Sequence, residues 1–144
     1  MTVSNSSSEN FRFALRVYWE DTDAGGVVFY ANYLKFFERA RTEWLRALGF
    51  SQEPMRSVER AMFVVSETAV RYLQPARLDD WLEITVRLVE QGRASLAVAQ
   101  QAWRAGPGTA PQLLAEGTIR IGCVDVQTFK PRRIPAGILE RLGA

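Results

Sequence analysis

From Phe11 to Trp19 the chain alternates, with Phe11, Phe13, Leu15, Val17 and Trp19 on one face and Arg12, Ala14, Arg16 and Tyr18 on the other. Strict alternation is the signature of a half-buried β-strand. At Asn32 the period lengthens: Tyr33, Phe36, Phe37, Ala40, Trp44 and Leu48 recur at helical spacing, with Asn32 suited to cap the start and Gly49 to end the helix. The spacing predicts a helix of about sixteen residues carrying a wide aromatic stripe. A short, helix-like stretch follows around Pro54 to Val58. Four more strand patterns then cover Met62–Leu73, Trp81–Val89, Ala94–Trp103 and Gln112–Val126, and a terminal helical turn is expected near Ala136–Leu142.

The order is strand, long helix, then four strands whose connections are too short to hold crossover helices, so the strands should pair antiparallel. The expected architecture is α+β, one sheet of about five strands packed on one long helix. Phe36, Phe37, Ala40 and Trp44 must then fill the concave face of the sheet. A two-layer protein of this kind leaves a sheet face or a strand edge open. Trp19, Trp81 and Trp103 add more aromatic surface than one copy easily hides, which points to a homo-oligomer, dimer or tetramer.

Composition narrows the chemistry. The chain has 144 residues, 47% apolar and 24% charged, enough for one ordinary domain with a real core. Residues 1–10, Met-Thr-Val-Ser-Asn-Ser-Ser-Ser-Glu-Asn, are small and polar and read as a disordered N-terminal tail, leaving 11–144 as the single domain. The tail lacks the pattern of a signal peptide, and no window is long and apolar enough for a membrane span, so a cytoplasmic protein is expected. Eighteen Lys and Arg against sixteen Asp and Glu give a net charge of +2, which is no nucleic-acid signature. Histidine is absent, which removes every Ser-His, Cys-His and His-metal mechanism. The one cysteine, Cys123, sits between apolar strand residues and reads as a small core side chain in a reducing compartment.

The segment most able to carry chemistry runs from Trp19 to Asn32, Trp-Glu-Asp-Thr-Asp-Ala-Gly-Gly-Val-Val-Phe-Tyr-Ala-Asn. Glu20, Asp21 and Asp23 fall within four residues, just before a glycine pair and a helix N-terminus. Three readings stand. The carboxylates can form an acidic loop in which one Asp caps a turn and the others face water. Asp-x-Asp can bind Mg²⁺ or Ca²⁺, although the remaining oxygen ligands of a calcium loop do not follow. One carboxylate can also act as nucleophile or general base on an acyl group whose oxygen points at the helix N-terminus.

The run Tyr18-Trp-Glu-Asp-Thr-Asp-Ala-Gly-Gly-Val-Val-Phe-Tyr-Ala-Asn-Tyr33, followed by Phe37-Glu-Arg-Ala-Arg-Thr-Glu43, closely resembles the signature of the YbgC branch of the 4-hydroxybenzoyl-CoA thioesterase family. Tyr72-Leu-Gln-Pro-Ala-Arg-Leu-Asp-Asp80 and Lys130-Pro-Arg132 extend the resemblance, which covers Phe13 to Pro135. It implies the hotdog fold and hydrolysis of a short-chain aliphatic or aromatic acyl-CoA, without cofactor or metal. It makes Asp23 the catalytic carboxylate and places the carbonyl-polarising backbone N–H at Tyr30, where many YbgC-type sequences carry histidine. It also implies coenzyme A contacts from Arg93 and Ser95, with Lys130, Arg132 and Arg133 as a second basic cluster. Association with the Tol–Pal envelope system or an acyl-carrier protein is implied in the same way. The rival expectation is a hotdog protein that binds acyl-CoA or an acyl-carrier protein with little turnover.

Overall fold

In the computed structural model, which describes residues 11–143, Phe11–Arg16 form β1. The tail expected at 1–10 lies outside the described residues. β1 keeps the predicted alternation, with Leu15 and Val17 buried, but ends sooner than the pattern suggested. Its last pair is Arg16 with Trp81, and Trp19–Asp21 close a 3-10 turn. The cause is local. An Asp21 carboxylate oxygen accepts a hydrogen bond from the Tyr18 N–H at 2.9 Å, curling the chain and swinging the Trp19 indole out to 77% exposure. Trp19 therefore does not belong to the core face.

α1 spans Asn32–Ala47, sixteen residues, as the spacing required. Phe36, Phe37 and Ala40 are fully buried and Tyr33 and Trp44 nearly so. Burying each of these large side chains is worth roughly 1.5–3 kcal/mol, which makes this stripe the main adhesive between the two layers. The N-cap is Ala31, not Asn32; the Asn32 side-chain amide instead donates backward to the Asp21 carbonyl at 2.8 Å. At the other end Gly49 adopts φ +96°, a left-handed conformation that suits glycine and stops the helix.

After the short helix α2, Gln52–Ser57, come β2 (Ala61–Tyr72), β3 (Trp81–Gln91), β4 (Ser95–Ala105) and β5 (Gln112–Asp125), and finally α3, Ala136–Gly143. All pairings are antiparallel and the spatial order is β1-β3-β4-β5-β2. The antiparallel pairing is as expected, and the sheet order adds what the sequence reading did not address: β2 and β3, though joined by a short connection, are not neighbours. β2 enters the sheet at the far edge beside β5, and residues 73–80 cross the end of the sheet to reach β3. That crossing passes the N-terminus of α1. The core between α1 and the sheet is completed by Leu82, Ile84, Val86, Leu96, Val98, Ile119 and Ile121, and Cys123 is buried within it. Burial pushes the Cys123 thiol up from its ordinary pKa, so it is an inert packing group.

β2 crosses β5 closely at Gly117, where a Cβ would lie 2.5 Å from the Ala69 carbonyl oxygen and 2.9 Å from a Val70 methyl. Substituting alanine ordinarily gains some stability by restricting the unfolded chain. Here the neighbour is main chain and cannot give way, so the overlap wins. Gly117→Ala should lower the unfolding free energy by about 1–3 kcal/mol in a denaturant titration; an unchanged midpoint would show that β2 can move aside.

Candidate active site

Two loops meet at the N-terminus of α1. The first, residues 22–28, is a small hairpin: Thr22 bridges Val28, the Asp23 N–H donates to the Val27 carbonyl at 2.9 Å and the Gly26 N–H donates to the Asp23 carbonyl at 3.0 Å. Gly26 takes φ +78°, which favours glycine at the tip. The second loop is the crossing 73–80. Val27 bridges Arg77, the Val28 N–H donates to the Ala76 carbonyl at 2.8 Å, and the Ala76 N–H donates to the Tyr33 hydroxyl at 3.0 Å. Burial pushes the Tyr33 phenol up from its ordinary pKa, so the hydroxyl keeps its proton while it accepts this bond. On the far side of the crossing, Asp80 accepts from the Arg77 N–H and pairs with Arg104 at 2.9 Å.

Within this frame the three carboxylates have different situations. Asp21 is buried and committed to Tyr18, while its carbonyl receives both the Phe29 N–H and the Asn32 amide. Glu20 is exposed. The Asp23 side chain is exposed, and one of its oxygens accepts from the Gly25 N–H at 2.9 Å; the other has no partner among the described residues. At the helix start the N–H groups of Asn32, Tyr33 and Leu34 bond to carbonyls three residues back, whereas those of Tyr30 and Ala31 have no acceptor among the described residues. Unsatisfied donors at the positive end of a helix are suited to a developing oxyanion. The Tyr30 ring packs on Phe29 and, edge-on, on Tyr72 at 6.1 Å, so the helix start opens toward the end of β2.

The structure brings Asp23 and Tyr30 to one end of the sheet and the coenzyme A candidates to the other. β1 delivers the acidic loop beside Trp81, the first residue of β3, whereas Arg93 and Ser95 lie at the β3–β4 turn, a full strand of about 35 Å away. Arg93 joins Lys130 and Arg132 at that far end: the Ile134 N–H donates to the Arg93 carbonyl, and the Arg132 N–H to the Cys123 carbonyl. Arg132 also donates from Nη1 to the Glu59 and Arg60 carbonyls, at 2.8 and 3.1 Å, tying its own segment to the loop between α2 and β2. Arg93 and Lys130 are exposed. Among the described residues no group of three or more His, Cys, Asp or Glu is placed to hold a metal ion, and no helix is long and apolar enough to cross a membrane.

Comparison with known proteins decides the kinship. Residues 25–111 match the model of the thioesterase superfamily. The chain belongs to that superfamily. It is 46% identical over 129 residues to the acyl-CoA thioester hydrolase YbgC of Escherichia coli O6:H1, covering 90% of this chain and 92% of that protein. It is 42% identical to the acyl-CoA thioesterase YbgC of Haemophilus influenzae, over 87% and 88% of the two chains. Among solved structures, a probable thioesterase from Bartonella henselae superposes with a TM-score of 0.81 at 34% identity, over 88% of this chain and all of that one. The 4-hydroxybenzoyl-CoA thioesterase of Pseudomonas sp. strain CBS-3 superposes at 0.83 with 22% identity, over 93% and 99%, which establishes the shared hotdog fold.

Sequence reasoning missed the supporting residues. Tyr33 lies in the core stripe as its spacing predicts, but nothing local signals that its hydroxyl reaches a loop some forty residues on. Gln100 carried a signal: with Leu96, Val98 and Ala102 it occupies a core-facing position of β4, where a polar side chain needs partners. The two aspartates should separate in stability. Asp21→Ala should cost about 1–2 kcal/mol by releasing Tyr18 and the turn, while Asp23→Ala should stay within about 0.5 kcal/mol of the parent. Thermal unfolding of both variants checks this, and the opposite ranking would mean that Asp23 is the structural carboxylate.

Proposed function

We propose that this thioesterase hydrolyses a short-chain aliphatic or aromatic acyl-CoA, with Asp23 as nucleophile or general base and the Tyr30 N–H as donor to the oxyanion. The observation that carries the reading is a free carboxylate beside unpartnered N–H groups at a helix N-terminus, in a chain with no histidine. The relatives named acyl-CoA thioester hydrolases support the reaction class, and a binding protein with little turnover is not favoured.

In the general-base route, Asp23 accepts a proton from water as the water oxygen attacks the thioester carbonyl. The carbonyl oxygen gains charge toward the Tyr30 N–H, and collapse expels the coenzyme A thiolate. In the nucleophilic route the Asp23 carboxylate attacks the carbonyl and the C–S bond breaks, expelling the coenzyme A thiolate and leaving a mixed anhydride that water cleaves to the free acid and the restored carboxylate. Neither route calls on a metal or cofactor.

The separation between Asp23 and the basic residues is resolved by a second copy. β2 is an edge strand with exposed Val64 and Val65 and an unpaired backbone edge. If two copies pair antiparallel along β2, the Ala61 end of one lies beside the Tyr72 end of the other. Arg93, Ser95, Lys130 and Arg132 of one copy then approach Asp23 and Tyr30 of its neighbour. A homo-oligomer, dimer or tetramer, is part of the proposal, as is a cytoplasmic location, consistent with a single buried cysteine. Association with an acyl-carrier protein or the Tol–Pal system is proposed on family resemblance.

Asp23→Asn preserves shape and should cut turnover by about 10²–10⁴ with folding retained, read by free-thiol release; wild-type activity would overturn the assignment. Arg93→Ala should raise KM for the coenzyme A thioester with little change in kcat, and leave a pantetheine thioester unaffected, because a remote phosphate contact acts equally in ground and transition states. Equal losses on both substrates would make Arg93 structural. Sedimentation should show an oligomer whose activity falls on dilution, and a fully active monomer would refute the shared site.

A further inference from the structure

Beyond the reacting atoms, a groove of about 280 Å³ runs between α1 and β2, lined by Leu34, Lys35, Glu38, Arg41, Val65, Thr68 and Ile119. Its near end approaches the helix start, since Leu34 lies one turn on from Tyr30 and Thr68 lies on the strand leading to Tyr72, whose ring meets that of Tyr30. From Tyr30 to Arg41 the helix advances about 16 Å, and the Arg41 side chain shortens this by leaning back toward the N-terminus.

Of the three charged residues that line the groove, Lys35 and Glu38 are exposed, and the buried one, Arg41, stands out. Arg41 is only 9% exposed, and no carboxylate among the described residues lies within ion-pair distance of it. Its one recorded hydrogen bond runs from Nη1 to the Gln100 side-chain oxygen at 2.9 Å. Gln100 is itself fully buried and fixed, donating to the Phe37 and Thr85 carbonyls at 3.0 and 3.3 Å. No buried side-chain nitrogen or oxygen among the described residues lacks a partner, so guanidinium nitrogens without a protein acceptor keep access to solvent, and Arg41 lines the groove. Desolvation disfavours the Arg41 charge and only Glu38, on the groove rim, offsets it. Holding a guanidinium this way is costly when apolar residues of similar volume would serve a purely structural role.

We propose that Arg41, held by Gln100, is a specificity-determining residue that donates to an oxygen at the far end of the acyl group. This rests on the proposed position of the thioester at Tyr30. The preferred substrate carries a terminal hydroxyl or carboxylate oxygen. The two differ in that the second is repelled by Glu38 and attracted by Lys35, both lining the groove, whereas the first can donate a hydrogen bond to Glu38.

The test compares kcat/KM for four-, six-, eight- and ten-carbon acyl-CoAs, each as the plain alkyl, ω-hydroxy and ω-carboxy thioester, on the full chain. At one length an oxygen-bearing substrate should exceed its alkyl counterpart by about tenfold, the scale of a hydrogen bond to a charged group. Arg41→Met should abolish that ratio and Arg41→Lys should retain part of it. The ratio within one variant is independent of how much protein has folded, so a destabilised Arg41→Met still reports. Which oxygen substrate leads identifies the terminal group. A ratio near one at every length in the parent overturns the proposal, as does a ratio that survives Arg41→Met. Loss of the oligomer in Arg41→Met with the ratio unchanged would assign the guanidinium to the subunit contact instead. If the parent hydrolyses none of the panel, the proposed reaction fails, whereas hydrolysis with no preference fails only the role of Arg41.

Discussion

Everything at the functional end of this molecule depends on Ala76 being held from two sides. Its N–H donates to the Tyr33 hydroxyl on α1 and its carbonyl receives the Val28 N–H of the acidic loop. Ala76 is fully buried, so each bond replaces one that water can no longer make, and breaking either would strand a polar group. The crossing segment is thereby pinned between the helix and the hairpin. The aspartate, the free helix N–H groups and the end of β2 cannot drift relative to one another. The topology makes this necessary. Because β2 lies at the far edge from β1, the chain must traverse the sheet end to reach β3, and the traverse becomes the floor on which the site is built.

A second buried polar unit, in the middle of the core, has the opposite character. The Ala76 bonds join main chain to a neutral hydroxyl and are complete. The Gln100 and Arg41 pair has a single hydrogen bond between its members, and Arg41 also lines a groove. Networks that are fully satisfied fix a structure, whereas one that borders open space is poised to receive something.

Much of this was legible along the chain. Alternation and helical spacing located the five strands and α1 to within a few residues, although β2 is exposed along most of its length and was marked by its run of apolar and β-branched residues. The misreadings have particular causes. Trp19 follows the alternation but is expelled by the bond from Tyr18 to Asp21, a three-residue event that hydrophobic periodicity does not register. Asn32 has the chemistry of an N-cap, yet its amide serves the Asp21 carbonyl, a choice made only once the loop folds back. The order of strands in the sheet was not addressed by local pattern at all, because the chain crosses the sheet end between β2 and β3 and only the assembled sheet shows it. The distance between Asp23 and Arg93 likewise depends on strand direction summed over the sheet, which no local motif encodes.

The donors at the helix start belong to the main chain. A hydrogen bond offered by a peptide N–H survives any replacement of the side chain at that position except proline. Position 30 is therefore two sites in one: its backbone is invariant as chemistry, and its ring, lying against Tyr72, is free to vary as a surface. On the proposed mechanism, the side chain at this position can be exchanged without loss of the N–H that the reaction would use. A fold that keeps its electrophilic partner out of the reach of point mutation can change what it selects while keeping the same reaction.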